Sequence, residues 1–552
     1  MDALNRREVT VGVALGLACG SVPQRSIAAP DAPPSEASRG SLTTPPEAVV
    51  ATTCGAVRGF WRNGVYIFRG LPYGEDPSGA RRFLPPNPAN PWTAVRSCLS
   101  YGPVCPQPRR DWSNDELAFI ADWNDGYPGE NCLTLNIWSS RLDASARRPV
   151  IVWLHGGGFS SGSAHELPAY EGSRLTARGT VVVSANHRLG PFGFLDLSEY
   201  HERYAQSGNA GMLDLVLALR WVRDNIARFG GDPERVTIAG QSGGGGKVSA
   251  LMAMPEAKGL FHRAVIMSGS FSPAQAQSDA RALTGALFDQ LGLQRGTVDA
   301  LSSVEPERLV QAGEAAIRRV HGPAGVPGLG RGRLGPIKGW SPVADGGVLP
   351  VGVWQNAAPP ISSQVPMLIG NVRDEFKLPG MVFDQEGLRE LASRIHGQSA
   401  PALLAALSTE FPALSPNEKA GILTGVQFHN AAVDQCVLKA RQGGAAVWQY
   451  WFVFSPDLLD GRVGVPHCAD IAYFFDNAAA CDQQTGNSTL ANRVAAQMSS
   501  ALVRFAATGN PADATLSWPQ FSEADRQTMV FGSEARAVRY PGARVFELAR
   551  GG

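Results

Sequence analysis

The segment from Val236 to Ala250 reads VTIAGQSGGGGKVSA: a short apolar run meets a serine set among glycines and passes directly into a helical pattern. Five of the seven residues from Gly240 to Gly246 are glycine. Glycine costs conformational entropy and packs nothing, so this density requires a bend where a Cβ would clash, or a very close backbone approach. Strand, G-x-S-x-G and helix in that order form a nucleophile elbow. Gly240 and Gly244 relieve the turn, which lifts the Ser242 hydroxyl above the sheet edge. There it sits beside a helix N-terminus, where free N–H groups and the helix dipole favour negative charge.

Such an elbow needs a sheet beneath it, and the chain provides one. Pro149–Leu154, Thr180–Asn186, Val236–Ala239, Phe261–Met267, Val365–Gly370 and Ala445–Phe454 are apolar, β-branched runs. Helical patterns separate them, including Gly211–Phe229 and Gly244–Met254. Strands apolar on both faces and alternating with helices predict an α/β fold: a mostly parallel sheet covered on both sides. Val57–Phe60 and Val65–Phe68 alternate instead and predict an antiparallel N-terminal extension. Gly322–Gly335, rich in Gly with prolines, reads as a long loop: open to solvent, or a wall over a site.

A serine hydroxyl becomes a nucleophile only when a base takes its proton, a third group orients the base, and donors await the oxyanion. The turn His155-Gly156-Gly157-Gly158-Phe159 also leaves a strand, and its glycines let backbone N–H groups point inward. Gly157 and Gly158, with Gly243 after the serine, offer three donors. Acid and then histidine should follow the serine in the chain. Of the later histidines, His429 falls on a helix and His396 lies away from any strand end. His467 lies on a loop beyond the strand ending at Phe454, where open α/β sheets meet their ligands. The acid should follow the strand ending at Gly370, where Asp374 and Glu375 are both candidates by position. Asp345 is a rival, although Asp-Gly pairs usually make turns.

Several further stretches extend the pattern: Phe68-Arg69-Gly70-Leu71-Pro72-Tyr73, Glu130–Trp138, Asn186-His187-Arg188-Leu189-Gly190, Gly208-Asn209-Ala210-Gly211 and Phe229-Gly230-Gly231-Asp232-Pro233. With the two glycine turns they make the chain, from about Thr52 onward, resemble the type-B carboxylesterases, the cholinesterase-like branch of the α/β hydrolases. The resemblance implies a serine hydrolase that cleaves carboxylic esters of small molecules through an acyl-enzyme. It assigns Ser242 as nucleophile, Glu375 as acid and His467 as base, with Gly157, Gly158 and Gly243 as the oxyanion hole. Ser268 would be a buried hydroxyl near the acid. It further implies a Cys105–Cys132 disulfide, a second bridge between Cys54 and Cys98, and buried ion pairs Arg69–Glu130 and Arg188–Asp214. Three positions depart from the family: Gln241 stands where Glu is usual, Gly243 where Ala is commoner, and Phe376 where Gly is usual. Gln241 removes a negative charge that helps cholinesterases hold cations, so choline esters are not expected, and Trp123 is expected to pack. The same apparatus could cleave carbamates or amides, and some relatives of this fold are binding proteins without catalysis.

The remaining features bound the setting. Lys+Arg and Asp+Glu are 49 each, so nothing favours nucleic acid or an anionic surface as partner. No cysteine pair has C-x-x-C spacing, and neither a metal nor an organic cofactor is expected. Asn5-Arg6-Arg7, the apolar Val9–Ala18 and Ser26-Ile27-Ala28 read as a signal peptide over residues 1–28, with adjacent arginines that fit the twin-arginine form. Its apolar run is too short for a stable membrane anchor. Export to the periplasm or medium is the expectation. Residues 29–47, rich in Pro, Ala and Ser, are expected to be a disordered linker, and 48–552 a single catalytic domain. Oligomeric state is left open.

Overall fold

Along Arg148–Leu154, Val150, Val152 and Leu154 enter one apolar layer while Ile151 and Trp153 enter another. Two buried faces explain why this strand is apolar throughout and does not alternate. The computed structural model describes residues 42–109, 115–270, 274–322, 338–377 and 380–550. Its central sheet has twelve strands. In chain order they are β1 (Leu42–Thr43), β2 (Phe60–Arg62), β3 (Val65–Pro72), β4 (Thr134–Ser139), β5 (Arg148–Leu154), β6 (Val181–Ala185), β7 (Gly231–Gln241), β8 (Arg263–Met267), β9 (Met367–Val372), β10 (Val447–Phe452), β11 (Gln527–Phe531) and β12 (Ala535–Arg539).

Across the sheet the order is β1-β2-β3-β4-β6-β5-β7-β8-β9-β10-β11-β12. The block from β6 to β11 is parallel, and antiparallel strands flank it on both sides. This is the α/β-hydrolase architecture expected. The chain goes from β5 to β6 on one side and then crosses to place β7 on the other. The carboxyl ends of β5 and β7 therefore border a topological switch point, where open α/β sheets form their ligand crevices. Both glycine turns leave the sheet there.

Helix α1 (Ala210–Asn225) and helix α2 (Gly243–Leu251) pack on one face. On the other lies α4 (Thr489–Thr508), its start capped by the Ser488 hydroxyl. A long helix, α3 (Pro416–Arg441), begins with a full capping box between Ser415 and Glu418 and packs against β9 and β10. His429 is buried in it, stacked 3.9 Å from the Phe546 ring, and takes no part in the site.

Some expectations need correction. Leu42–Thr43 pairs with Trp61–Arg62, so the end of the expected linker is part of the sheet. Glu130 does not pair with Arg69. Arg82 takes it in a two-pronged bond at 2.7 and 2.5 Å and spends its remaining donors on the Leu301 and Val304 carbonyls. Arg69 instead lies 4.3 Å over the Tyr101 ring. Cys105 and Cys132 are thiols, not a disulfide, and Cys54 and Cys98 are free as well. The Cys105 sulfur is held by the Leu189 N–H at 3.2 Å, and its bond to Cys132 is a hydrogen bond that raises the Cys132 thiol's pKa well above its usual value. The expected pair Arg188–Asp214 is present and fully buried, with bonds of 2.9 and 2.7 Å. Trp123 packs against the second core as expected. The signal segment and nearly all of the Gly322–Gly335 stretch lie outside the described residues. Among the described residues no helix is long and apolar enough to cross a membrane.

Candidate active site

β7 ends at Gln241, and Ser242 follows with φ +56° and ψ −123°, a strained backbone that makes the elbow. The glycines around it answer to sterics. A Cβ on Gly240 would overlap the Gly244 carbonyl and stand 2.8 Å from the Leu154 oxygen. One on Gly244 would run into that same Leu154 oxygen, so β5, β7 and α2 can approach only if both positions lack side chains. Ser242 is half-buried, its N–H bonded to the Met267 carbonyl at 2.8 Å, and it caps a helix whose nine residues are all buried.

The loop after β5 presents its N–H groups through the orientation of its carbonyls. In a planar trans peptide the C=O and the following N–H point in opposite directions. The Gly157 carbonyl accepts from the N–H groups of Ser160 and Ser161, at 3.3 and 3.1 Å, and from the Ser161 hydroxyl at 3.2 Å. That turns the Gly158 N–H the other way. The Gly156 carbonyl is held on the protein side by His155 Nδ1 at 3.0 Å, which turns the Gly157 N–H outward too. Gly157 and Gly158 have φ of +77° and +61°, where side chains are disfavoured. Gly243 closes the set at the start of α2. Among the described residues none of these three N–H groups donates to a protein acceptor.

Beyond β9, position alone left two carboxylates as candidates, and the structure separates them. Glu375 is buried, accepts from the Val372 N–H at 3.1 Å, and bonds His467 Nδ1 through Oε2. Asp374 faces away, into Arg373 and the backbone of the His467 loop. Asp345 tightens a turn by accepting from the N–H groups of Gly347 and Leu349. The imidazole of His467 lies between aromatic rings, stacked at 5.4 Å on Phe376 and edge-on at 5.8 Å to Phe428. Phe376, where a glycine was usual by resemblance, thus builds one wall around the histidine.

Gln241 meets the Nε2 edge of that imidazole. Its amide nitrogen lies 3.2 Å from His467 Nε2, and its amide oxygen accepts from the Cys468 thiol at 3.2 Å. Among the described residues no hydrogen bond joins Ser242 Oγ to His467. Glu375 and His467 are brought together, and the residue preceding the serine is what touches Nε2. Ser268, just past the end of β8, donates its N–H to Gly370 at 2.8 Å; its hydroxyl is buried, with no hydrogen-bond partner among the described residues.

Sequence reasoning passed over a polar cluster beneath the glycine loop. Lys247 is fully buried, with Nζ 2.9 Å from the His155 carbonyl, and burial lowers its pKa to about 7 while Glu166 opposes that shift. Tyr170 donates to Glu166 at 3.1 Å and accepts from the Gly156 N–H. A lone lysine among Gly, Val, Ser, Ala and Leu was the visible signal. Behind Glu375, Asp470 is buried and accepts from the Tyr450 hydroxyl at 2.6 Å; desolvation raises its pKa to about 7, with the charge of Glu375 adding to the rise.

Residues 46–545 match the Carboxylesterase family. The chain is 34% identical over 493 residues to a para-nitrobenzyl esterase of Bacillus subtilis, covering 88% of this chain and 95% of that one. It is 33% identical over 510 residues to a phenmedipham hydrolase of Pseudarthrobacter oxydans, covering 89% and 96%. Among solved structures it is similar to an esterase of Clostridium hathewayi described as able to hydrolyse aliphatic aromatic polyesters. That match has a TM-score of 0.78 and 33% identity over 93% of this chain and 99% of that one. With an α/β-hydrolase sheet, a strained serine between two glycine turns and a match running nearly end to end, the chain belongs to the carboxylesterase family and is a carboxylic ester hydrolase.

Proposed function

We propose that Ser242 is the nucleophile of this hydrolase, His467 its general base and then acid, and Glu375 the group that orients the imidazole. The observation that carries this is the bond between His467 Nδ1 and the buried Glu375 carboxylate, which fixes the tautomer and leaves Nε2 as the proton acceptor. Ser242 Oγ attacks the ester carbonyl as Nε2 takes its proton, and the carbonyl π pair moves onto oxygen. Gly157, Gly158 and Gly243 hold that oxyanion. Collapse expels the alcohol, protonated by His467, and water repeats the sequence on the acyl-enzyme. In the resting geometry Gln241 occupies Nε2 at 3.2 Å, so the serine hydroxyl displaces that amide as the attack is set up.

A neutral amide at Gln241 supports small neutral esters over cationic ones. The charged start, apolar run and small residues of the first 28 residues support an exported enzyme of the periplasm or medium, and sequencing the N-terminus of the secreted protein checks it. For the mechanism, Ser242→Ala should keep the fold and lose p-nitrophenyl ester hydrolysis by several orders of magnitude. An organophosphate should label Ser242 stoichiometrically in the unaltered chain. Turnover that survives Ser242→Ala would end the assignment.

A further inference from the structure

Lys247 is the fifth residue after Ser242 and projects from α2 beneath the glycine loop. Its Nζ lies 2.9 Å from the His155 carbonyl and 3.5 Å from the Gly156 carbonyl. The Gly156 carbonyl belongs to the same peptide plane as the Gly157 N–H. A donor pulling on one end of a peptide fixes its plane and strengthens the N–H at the other end. When that donor is an ammonium, the bond is about twice as strong as a neutral one. The next peptide inward is braced at both ends: its His155 carbonyl takes Lys247 and its Gly156 N–H goes to Tyr170, which in turn donates to Glu166.

Resting on the oxyanion hole of the proposed function, we propose that Lys247 is a positioning residue for ester hydrolysis. Its ammonium, bonded to the His155 and Gly156 carbonyls, aims the Gly157 N–H at the substrate's carbonyl oxygen and polarises it as that oxygen becomes an oxyanion. Burying an ammonium against an otherwise apolar helix is costly. Neutral side chains can hold carbonyls without that cost, so the choice of a lysine points to a use for the charge. The Phe159 ring, 5.7 Å from Nζ, and the buried surroundings keep water from screening it.

The titratable groups that bear on Lys247 are Glu166 on the loop after β5, His155 at the start of that loop, whose carbonyl it holds, and His187 after β6. Of these only Glu166 is an anion that favours the ammonium. Burial holds the lysine near pKa 7, so its charge and its polarising effect fade as pH rises above that range, although the amine still donates.

The test compares the full-length enzyme with Lys247→Met and Lys247→Gln, the second retaining a neutral donor. Lys247→Met should lower kcat by about 10- to 100-fold, a part of what losing an oxyanion donor costs, with KM changed less than about twofold. Its affinity for an alkyl trifluoromethyl ketone, which forms a hemiketal oxyanion on Ser242, should fall by the same factor. Affinity for the matching methyl ketone, which stays a neutral ligand, should be unchanged. Lys247→Gln should fall between the two; the unaltered enzyme should show a decline in kcat above about pH 7 that both variants lack. Equal loss of affinity for both ketones, or full kcat in Lys247→Met, would overturn the proposal while leaving the triad intact. Inability of both variants to fold would assign Lys247 to stability alone and overturn it as well. Activity surviving in Ser242→Ala would instead bring down the underlying reading.

Discussion

The Asp374 carboxylate accepts from the Val465 N–H at 2.8 Å, and the Asp374 N–H returns a bond to the Val465 carbonyl at 3.2 Å. Two neighbouring carboxylates thus divide the labour: Glu375 orients the imidazole, and Asp374 ties down the loop that carries it. Glycine makes the latch possible, since a Cβ at Gly464 or Gly421 would overlap the Asp374 carboxylate.

Asp374→Ala should therefore harm both stability and catalysis. It breaks the bonds of 2.7 and 3.1 Å from buried Arg373 and leaves it only the partly exposed Glu418 at 3.0 Å, so the loss should approach the roughly 3–5 kcal/mol of a broken buried pair without reaching it in full. Chemical denaturation should show that loss. With the loop loosened, kcat should drop more than KM rises; a variant as stable and active as the parent would show that the latch is dispensable.

Gly243→Ala restores a residue common in the family and should nevertheless be harmful here. The added Cβ would overlap the Gly158 backbone, with its Cα only 2.5 Å away. Rigid backbone must shift, moving the Gly158 N–H off its aim. A fall in kcat of about 10- to 100-fold at nearly constant KM is expected from steady-state kinetics. An unaltered kcat would mean that the loop relaxes without moving its donors.

Glu375→Gln keeps shape while removing the charge that holds the Nδ1–H tautomer. Comparable changes lower kcat by about 10⁴-fold. The variant should remain folded by circular dichroism. Retention of more than about a tenth of kcat would move the orienting role elsewhere.

Asp470 links stability to pH. Its folded pKa, raised to about 7 by desolvation, lies far above the ordinary carboxylate range, so the folded state holds a proton that the unfolded chain releases. The stabilisation is full below the unfolded pKa near 4 and is lost as pH rises through about 7. Asp470→Asn is neutral at every pH. Relative to the parent it should gain stability between pH 5 and pH 8, read as the shift in thermal midpoint. The same difference between the two proteins at both pH values would refute the assignment.

Much of the site was legible because its constraints are local. The elbow is written in Gly240 and Gly244, where a Cβ would meet backbone, and the oxyanion loop in Gly157 and Gly158 at positive φ; His467, the proposed base, was read from its place beyond a strand. The partner of Glu130 was not legible, because Arg69 and Arg82 both lie upstream with equal chemistry. Nor was the resting contact between Gln241 and His467. The free thiols at Cys105 and Cys132 differ from what the resemblance implied.

By itself the sequence determined the parallel sheet, its two covered faces and the serine turn, and it offered the proposed catalytic groups in chain order. Those depend on periodicity and on steric exclusion between near neighbours, which a linear text records. Only the tertiary structure decided that Glu375 and not Asp374 meets the imidazole, that Arg82 takes Glu130, and that Lys247 ends beneath the glycine loop. Such choices turn on which way a side chain points and on what desolvates it. Both are set by segments hundreds of residues apart that come together only when the sheet is assembled.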